Sequence, residues 1–250
     1  MNESQQLYNG FFLNGTCANM QISNCLNYLR VAPIKITDKY EKLNVDMDNY
    51  AFAEKNAIWK FEYFHWLRNF IIITENNSHP SIFIFDNHNH ALPFWYIISK
   101  NLKQTHKGLP ILIHIDQHSD CWENKNHFKL TTENDNLEEI FRFSNEKCNV
   151  GNFIPPALES GIILEQIQIR SLPALKSLSI NKNKPFILDI DLDFCLDWIK
   201  KDIINEDSVN VLKLKLDKFS KFASWITIAT SPYFLDQNLA IDIIEKLLME

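Results

Sequence analysis

The chain has 250 residues, 46% of them hydrophobic and 22% charged, which is the composition of a globular protein with one substantial core. Its formal net charge is −6, and this acidic balance argues against a general nucleic-acid binder, which needs a basic face. The first residues have no signal-peptide pattern and no apolar run reaches membrane-spanning length, so we expect a cytoplasmic protein with no membrane partner.

Cysteine and glycine usage excludes further classes. The five cysteines never form a CxxC pair, so neither a disulfide framework nor a structural zinc site is indicated. The five glycines are scattered, so no glycine-rich phosphate loop can be assembled and nucleotide binding by that route is not expected.

Apolar runs alternate with helical patterns over most of the chain. Residues 1–80 are the exception, and their topology stays open: the aromatic stretch 51–73 could be a helix running into a strand. Strands are predicted at 82–85, 111–115, 186–188 with its continuation, and 225–228. Helices are predicted at 91–103, 207–222 and 235–249. This alternation is typical of a three-layer αβα fold of the α/β class with a mainly parallel sheet, and we expect one domain spanning 1–250.

Polar ligands follow the second of these strands at alternate positions. Ile111-Leu-Ile-His-Ile-Asp-Gln-His-Ser-Asp120 places Asp116, His118 and Asp120 directly after an apolar run. Because side chains in a strand alternate with period two, all three can point to one side as the strand ends.

A second strand ends in carboxylates. In Phe186-Ile-Leu-Asp-Ile-Asp-Leu-Asp193, the pattern puts Asp189, Asp191 and Asp193 on one face, with apolar residues between them. Like charges this close raise each other's pKa, and burying them unpaired costs several kcal/mol per ion. The motif therefore predicts that cations bind there.

A third strand ends in Asp86-Asn-His88-Asn-His90, which adds imidazoles. The carboxyl ends of neighbouring strands in an α/β sheet meet at one crevice, so three such ends can form a single site. Carboxylates mixed with imidazoles favour manganese, iron or zinc, and manganese is our first choice. Two such ions can share a water and lower its pKa.

These motifs resemble those of the arginase, agmatinase and histone-deacetylase superfamily. The resemblance rests on Asp116-Gln-His118-Ser-Asp120, on Asp191-Leu-Asp193, and on a histidine that opens a helix in His90-Ala-Leu-Pro. It implies two Mn²⁺ ions bound in an arginase/deacetylase-like fold. By the resemblance, one ion is held by His90 and Asp120, the other by His118 and Asp193, with Asp116 and Asp191 bridging and Asp189 behind them. His88 is then expected not to be a ligand.

A closer resemblance is to an atypical arginase-like family that includes peptide arginases. It is carried by the segments 86–95, 114–120, 151–157, 188–194 and 229–232. Members of that family convert arginine side chains in ribosomally made precursor peptides to ornithine. The resemblance thus implies an arginine-containing precursor peptide as the partner and urea as the second product.

Two features differ from ordinary arginases. Those enzymes carry a glutamate on a late strand that grips the guanidinium, whereas the matching stretch here, Thr227 to Pro232, contains no acid. The loop after Asp120 also lacks the sequence that binds a free amino acid, and its histidine, His127, is displaced from the usual catalytic position. Candidates for the substrate pocket are therefore sought elsewhere: Ser231, Asn152, Glu75 and His127.

The leading hypothesis is hydrolysis of an arginine guanidinium, with Asp120 and His127 as the catalytic residues and Asp120 relaying a proton to the departing amine. One alternative is deacylation of an acylated amine, for which Tyr233 could be the oxyanion donor. Another is a non-catalytic leader-peptide-binding protein in which the metals only stabilise the fold. An oligomer is possible.

Overall fold

A computed structural model describes residues 3–13, 29–55, 58, 60–74, 81–126, 137–197 and 203–249. The α-helices are α1 (Glu3–Leu7), α2 (Ala91–Gln104), α3 (Leu137–Glu146), α4 (Ile154–Glu159), α5 (Leu172–Ser177), α6 (Glu206–Phe219) and α7 (Gln237–Leu248). The strands are β1 (Phe11–Phe12), β2 (Arg30–Val31), β3 (Ile34–Thr37), β4 (Val45–Lys55), β5 (Phe61–Leu67), β6 (Phe70–Ile73), β7 (Ile82–Phe85), β8 (Ile111–Ile115), β9 (Gln166–Ile169), β10 (Phe186–Asp191) and β11 (Trp225–Ala229). Short 3₁₀ turns follow β7 at His88–His90 and β10 at Leu192–Cys195.

A seven-stranded sheet forms the middle layer, in the order β3-β6-β7-β11-β10-β8-β9. Every neighbouring pair is parallel except β6 and β7, which are antiparallel. The four strands predicted from apolar runs and the three predicted helices are confirmed, with ends that differ by at most a few residues. The fold is therefore a three-layer α/β fold with a mainly parallel sheet, as expected.

Each face of the sheet is covered by its own apolar core. On one face, alternate strand residues such as Phe83 and Phe85 pack with buried side chains of α2, α3 and α4. On the other face, Ile84 and Ile190 pack with α5, α6 and α7. The central strands are buried on both faces, which explains why they are apolar runs rather than alternating patterns.

The segment with open topology contributes strands. Strands β3 and β6 extend the sheet at one edge, and β4 pairs with β5 as an antiparallel hairpin. The idea that 51–73 begins as a helix is wrong, because its described residues lie in β4, β5, β6 and the turns between them. Aromatic residues favour strands, and here they form cross-strand pairs such as Phe52 with Phe64.

The sheet places the motif-bearing strand ends side by side. Asp191 is level with Ala229, Ala229 is level with Phe85, and Ile190 is level with Ile115, so β7, β11, β10 and β8 end together. The segments that follow three of these four strands carry the predicted ligands. Within the described residues, no helix is both long enough and apolar enough to cross a membrane.

Candidate metal centre

Polar residues at or just beyond the carboxyl ends of β7, β8 and β10 meet in one buried cluster at this edge of the sheet. Its members are His88, His114, Asp116, His118, Asp120, Asp189, Asp191 and Asp193. All of them are buried except His118, whose side chain is 41% exposed. The cluster is therefore open to solvent on the side of His118.

One half of the cluster is centred on Nδ1 of His88. This nitrogen lies 3.0 Å from Oδ2 of Asp120, 3.2 Å from Oδ2 of Asp191 and 3.3 Å from Oδ2 of Asp116. One imidazole facing three carboxylate oxygens is a donor set that suits manganese, iron or zinc.

The other half is centred on Nδ1 of His118, which lies 2.7 Å from Oδ2 of Asp193 and 3.5 Å from Oδ1 of Asp116. Asp116 thus faces His88 with one carboxylate oxygen and His118 with the other. This is the arrangement of a carboxylate that bridges two ion sites. Asp116 and Asp191 each accept a backbone N–H at Oδ1, from His118 and Asp193, but only Asp116 also lies near Nδ1 of His118, so the geometry favours Asp116 over Asp191 as the residue shared by the two halves.

The atoms that face the middle of the cluster lack hydrogen-bond partners. Among the described residues these buried orphan atoms include Nδ1 of His88, Nε2 of His114 and an Oδ2 of each of three aspartates, Asp116, Asp120 and Asp193. Buried polar atoms are nearly always paired, so several orphans pointing at one place indicate a missing partner. A divalent cation is the partner that imidazole nitrogens and carboxylate oxygens share.

The electrostatics of the cluster show the same requirement for positive charge. Burial and the neighbouring Asp116 raise the pKa of Asp120 to about 7. Burial lowers the pKa of His114, but the adjacent carboxylates of Asp116 and Asp189 outweigh it and raise that pKa to about 10. The adjacent carboxylates of Asp116 and Asp193 raise the pKa of His118 to about 10. The carboxylates therefore hold protons on their neighbours wherever a cation does not neutralise them.

Asp189 lies directly beneath the first half of the cluster. Its Oδ2 is 2.9 Å from Nε2 of His88 and 2.7 Å from Nδ1 of His114, and its Oδ1 accepts from the hydroxyl of Thr227. Burial tends to raise the pKa of Asp189, but the two imidazoles lower it to about 2. An ionised Asp189 only accepts hydrogen bonds, so both rings turn their other nitrogens toward the cluster. Asp189 therefore lies behind the ring nitrogens that face the middle of the cluster.

His114 was not among the predicted site residues. It lies in β8, two positions before Asp116, with Nε2 at 3.3 Å from Oδ2 of that residue. The strand alternation that linked Asp116 to His118 also places His114 on the same side. Strand alternation could therefore have identified His114 from the sequence, but its position within an apolar run made it resemble a core residue.

The two histidines after β7 are placed in the reverse of the expected order, with His88 in the cluster and His90 outside it. The ring of His90 packs between Tyr8 and Phe70, and its Nδ1 is 3.3 Å from the hydroxyl of Tyr8. Burial lowers the pKa of His90 to about 3, so it is a neutral core residue. Alternation fails here because His88–His90 form a 3₁₀ turn, in which residues two apart point in different directions.

Ser231 and Asp120 have strained backbones, with φ angles of 46° and 51°. A non-glycine residue with positive φ is uncommon, and such residues cluster at functional sites. The Ser231 hydroxyl donates to Oδ2 of Asp191. Ser231 was expected in the substrate pocket, and the structure places it against a cluster carboxylate.

Of the other predicted pocket residues, one lies in a turn outside the cluster and two lie outside the described residues. Oδ1 of Asn152 accepts from the backbone N–H of Asn149, 2.7 Å away, so it closes a turn rather than facing the cluster. Glu75 and His127 lie outside the described residues. Thr227, in the stretch where a glutamate was missing, donates to Asp189.

No protein-family model and no curated protein matches the sequence. Among solved structures, the chain is similar to a hypothetical agmatinase from Burkholderia thailandensis, with 14% identity over 67% of this chain and 56% of that one, at a TM-score of 0.41. It is also similar to an arginase from Medicago truncatula, with 14% identity over 66% of this chain and 57% of that one, at a TM-score of 0.40. The chain therefore spans a little over half the length of these two proteins.

Proposed function

We propose that this protein is a metal-dependent hydrolase of the ureohydrolase type, which converts an arginine side chain of a peptide to ornithine and releases urea. The observation that carries the proposal is the set of unpaired imidazole and carboxylate atoms from three of four adjacent strand ends, all facing one buried place. Asp116 faces both halves of this set, which supports a site for two ions.

The proposed ligands follow from the two halves. His88, Asp116, Asp120 and Asp191 would hold one ion, and Asp116, His118 and Asp193 the other. Mn²⁺ is proposed because the donors are carboxylates with a minority of imidazoles. A pair of divalent ions in such a site supplies a hydroxide nucleophile near neutral pH and neutralises the carboxylates.

The reaction balances with water as the only co-reactant. Hydroxide adds to the guanidinium carbon, the bond from that carbon to the side-chain nitrogen breaks, and the departing nitrogen takes a proton to leave as the ornithine amine. We assign the proton relay to Asp120, which is buried beside the place where the water would lie.

A peptide substrate is proposed for two reasons. The stretch from Thr227 to Pro232, where arginases carry a guanidinium-gripping glutamate, has no acid. Contacts to remote parts of a substrate can supply binding energy that the local grip lacks. The β4–β5 hairpin is a surface that could make such contacts, because Phe52 and Phe64 of the hairpin pack against Tyr233 just after that stretch.

The test is to incubate the Mn²⁺-loaded protein with an arginine-containing peptide and with free arginine, and to measure urea and peptide mass. The proposal expects urea, a guanidine-to-amine mass change, and a higher kcat/KM for the peptide. Chelation should abolish both signals. Loss of an acyl group from an acylated peptide would instead favour the deacylase, and peptide binding without any product would favour the non-catalytic leader-peptide-binding protein.

A further inference from the structure

A small recess lies beside the cluster, at the end of β11. It is lined by Phe52, Asn87, Val150, Ser231, Tyr233 and Phe234. Two of these residues connect it to the cluster: Asn87 directly precedes His88, and Ser231 donates a hydrogen bond to Asp191. The ring of Phe234 lies 4.3 Å from the ring of His118. A group bound in the recess is therefore adjacent to the proposed ions.

The recess contains an unpaired hydrogen-bond acceptor. Asn87 is 6% exposed, and its Nδ2 donates to the carbonyl oxygen of Ala51 at 2.9 Å. That bond fixes the orientation of the amide, because only the NH₂ group can donate to a carbonyl. Oδ1 of Asn87 is left without a hydrogen-bond partner among the described residues. A buried acceptor of this kind is costly unless a donor arrives, and a ligand can be that donor.

The wall of the recess is aromatic and its rim is acidic. The rings of Phe52 and Tyr233 are stacked, with centroids 4.8 Å apart and planes at 22°. Partial burial, together with the negative charges of Glu54 and Glu62 on the hairpin, raises the pKa of Tyr233. Aromatic faces attract cations, and nearby carboxylates strengthen that preference.

From these contacts we propose that the recess binds the guanidinium of the substrate, with Asn87 Oδ1 accepting from its N–H groups and Phe52 and Tyr233 stacking on its plane. This inference rests on the proposed function, since it takes arginine as the reacting group. It gives the neutral Asn87 and two aromatic faces the task that a glutamate performs in ordinary arginases. A guanidinium fits better than an ammonium because it is planar, stacks on rings and presents several donors.

Opening the recess requires a movement of Tyr233. The recess has a free volume of about 0 Å³ in this structure, so a ligand enters only when a wall moves. Phe52 is 2% exposed and fixed in the core, whereas Tyr233 is 38% exposed. Exposed side chains change rotamer within nanoseconds, so Tyr233 can move away from Phe52 to admit the guanidinium between the two rings, with Asn87 at the base of the slot.

The test compares binding of three short capped peptides that differ only in one residue: arginine, its uncharged isostere citrulline, and lysine. Calorimetric titration is done on the full chain after chelation, so that no turnover occurs. The wild type should bind the arginine peptide about tenfold more tightly than the citrulline peptide, as expected for a hydrogen bond to a charged donor. The lysine peptide should also bind more weakly than the arginine peptide.

Two variants and a control locate the effect. Asn87→Ala should abolish the preference for arginine over citrulline, and Tyr233→Ala should weaken arginine-peptide binding roughly two- to fivefold. Phe222→Ala is the matched control, because Phe222 is a similarly exposed aromatic residue before β11, at the opposite end of the same strand. If Asn87→Ala does not fold, the exposed Tyr233 still decides, since its ring can be removed without opening the core.

The outcomes separate this inference from the proposed function. An arginine preference that survives in Asn87→Ala and Tyr233→Ala, or no preference in the wild type, overturns the recess as the guanidinium site. If the wild type still releases urea in that case, the proposed function stands. An arginine preference that depends on Asn87 in a protein that releases no urea supports the recess and contradicts the hydrolase.

Discussion

Asp189 orients two imidazoles at once. One of its oxygens lies within 2.9 Å of both His88 and His114, and the other accepts from Thr227. Trp95 extends the chain of contacts, since its indole nitrogen donates to Thr227 at 3.4 Å. A carboxylate behind a metal-binding imidazole fixes the ring and its tautomer and makes it a better ligand. On the proposed function, we therefore expect Asp189 to position the two imidazoles rather than to bind an ion.

Asp189→Asn should weaken Mn²⁺ binding by about 10- to 100-fold, the usual cost of losing such a partner. The neutral amide oxygen is a weaker acceptor than a carboxylate oxygen, and its NH₂ group would replace the oxygen that accepts from the Thr227 hydroxyl, so both rings would be held less firmly. Calorimetric titration of the chelated protein with Mn²⁺ measures the effect. Asp217→Asn, on the exposed side of α6, is the control. Unchanged affinity in Asp189→Asn would show that the two rings do not need this carboxylate.

His88 and His90 allow a second comparison, between a residue of the cluster and one in the core. His88→Ala should lose bound metal, because its Nδ1 faces three carboxylates. His90→Ala should retain metal but lose about 3 kcal/mol of stability, since it leaves a cavity between Tyr8 and Phe70. Metal content by elemental analysis and unfolding in urea distinguish the two. Metal loss in His90→Ala alone would restore the arrangement that the sequence suggested.

The positions of the two histidines could not be predicted from strand alternation alone. The alternation rule correctly grouped Asp116 with His118 and Asp189 with Asp191, because each pair lies at or just beyond the end of a strand. After β7 the chain turns into a 3₁₀ helix within three residues, and no residue in Asp86-Asn-His88-Asn-His90 marks that change. The ligand types could be read from the sequence, but the direction of each ring depended on a turn that could not.

Among the elements, the sheet order explains how distant motifs form one site. The segments after β7 and β10 are separated by β11, whose following turn brings Ser231 to Asp191. The convergence of strand ends was predictable, because buried parallel strands follow from apolar runs separated by helices. The hairpin of β4 and β5 was not predictable, because a segment this rich in aromatic residues suits either a strand or a buried helix.

The turn after β11 is strained at Ser231, and two substitutions separate its strain from its hydrogen bond. Ser231→Ala keeps the positive φ and removes the donor to Asp191, so it should destabilise the chelated protein by about 1–3 kcal/mol. Ser231→Gly removes the same donor but relieves roughly 1 kcal/mol of backbone strain, so it should cost less.

Urea unfolding of both Ser231 variants, with metal content as a check on the site, tests this difference. His106 also has a positive φ, of 57°, but lies at the end of α2 away from the cluster, so His106→Gly is a control for strain alone. If Ser231→Gly were no more stable than Ser231→Ala, the turn would not be under the strain inferred from its φ angle.

At the scale of the whole molecule, the buried acidic cluster couples folding to protons and metal. Groups whose pKa is raised on folding bind more protons in the folded state, and stability then falls as the pH rises. The pKa of Asp120 is raised from about 4 in the unfolded chain to about 7, so its contribution to stability is lost as the pH rises from about 4 to about 7. The pKa values of His114 and His118 are raised from about 6.5 in the unfolded chain to about 10, so their contribution to stability is lost as the pH rises from about 6.5 to about 10.

Opposing groups act at lower pH. The pKa of Asp189 is lowered to about 2 and that of Asp116 is lowered as well, so their contributions are lost only as the pH falls below about 4. His90, lowered to about 3 by burial, adds stability only as the pH rises toward its unfolded value of about 6.5. Above about pH 6.5, the cluster groups that bind extra protons therefore dominate.

The chelated protein should accordingly lose stability steadily as the pH rises from about 6.5 to about 9. In this range His114 and His118 keep their protons in the folded protein, whereas the unfolded chain gives them up, which favours unfolding. The Mn²⁺-loaded protein should not lose stability in this way, because metal binding displaces those protons and replaces their charge, and its affinity increases as the pH rises. Urea midpoints of the two forms across this range are the measurement, with the gap between them widening toward high pH. The chelated His118→Asn variant should show a shallower decline than the chelated wild type, since one of the three histidines with a raised pKa is gone. Parallel profiles for the chelated and loaded proteins would mean that protons and metal do not compete for the same buried carboxylates, and the two-ion reading of the cluster would fail.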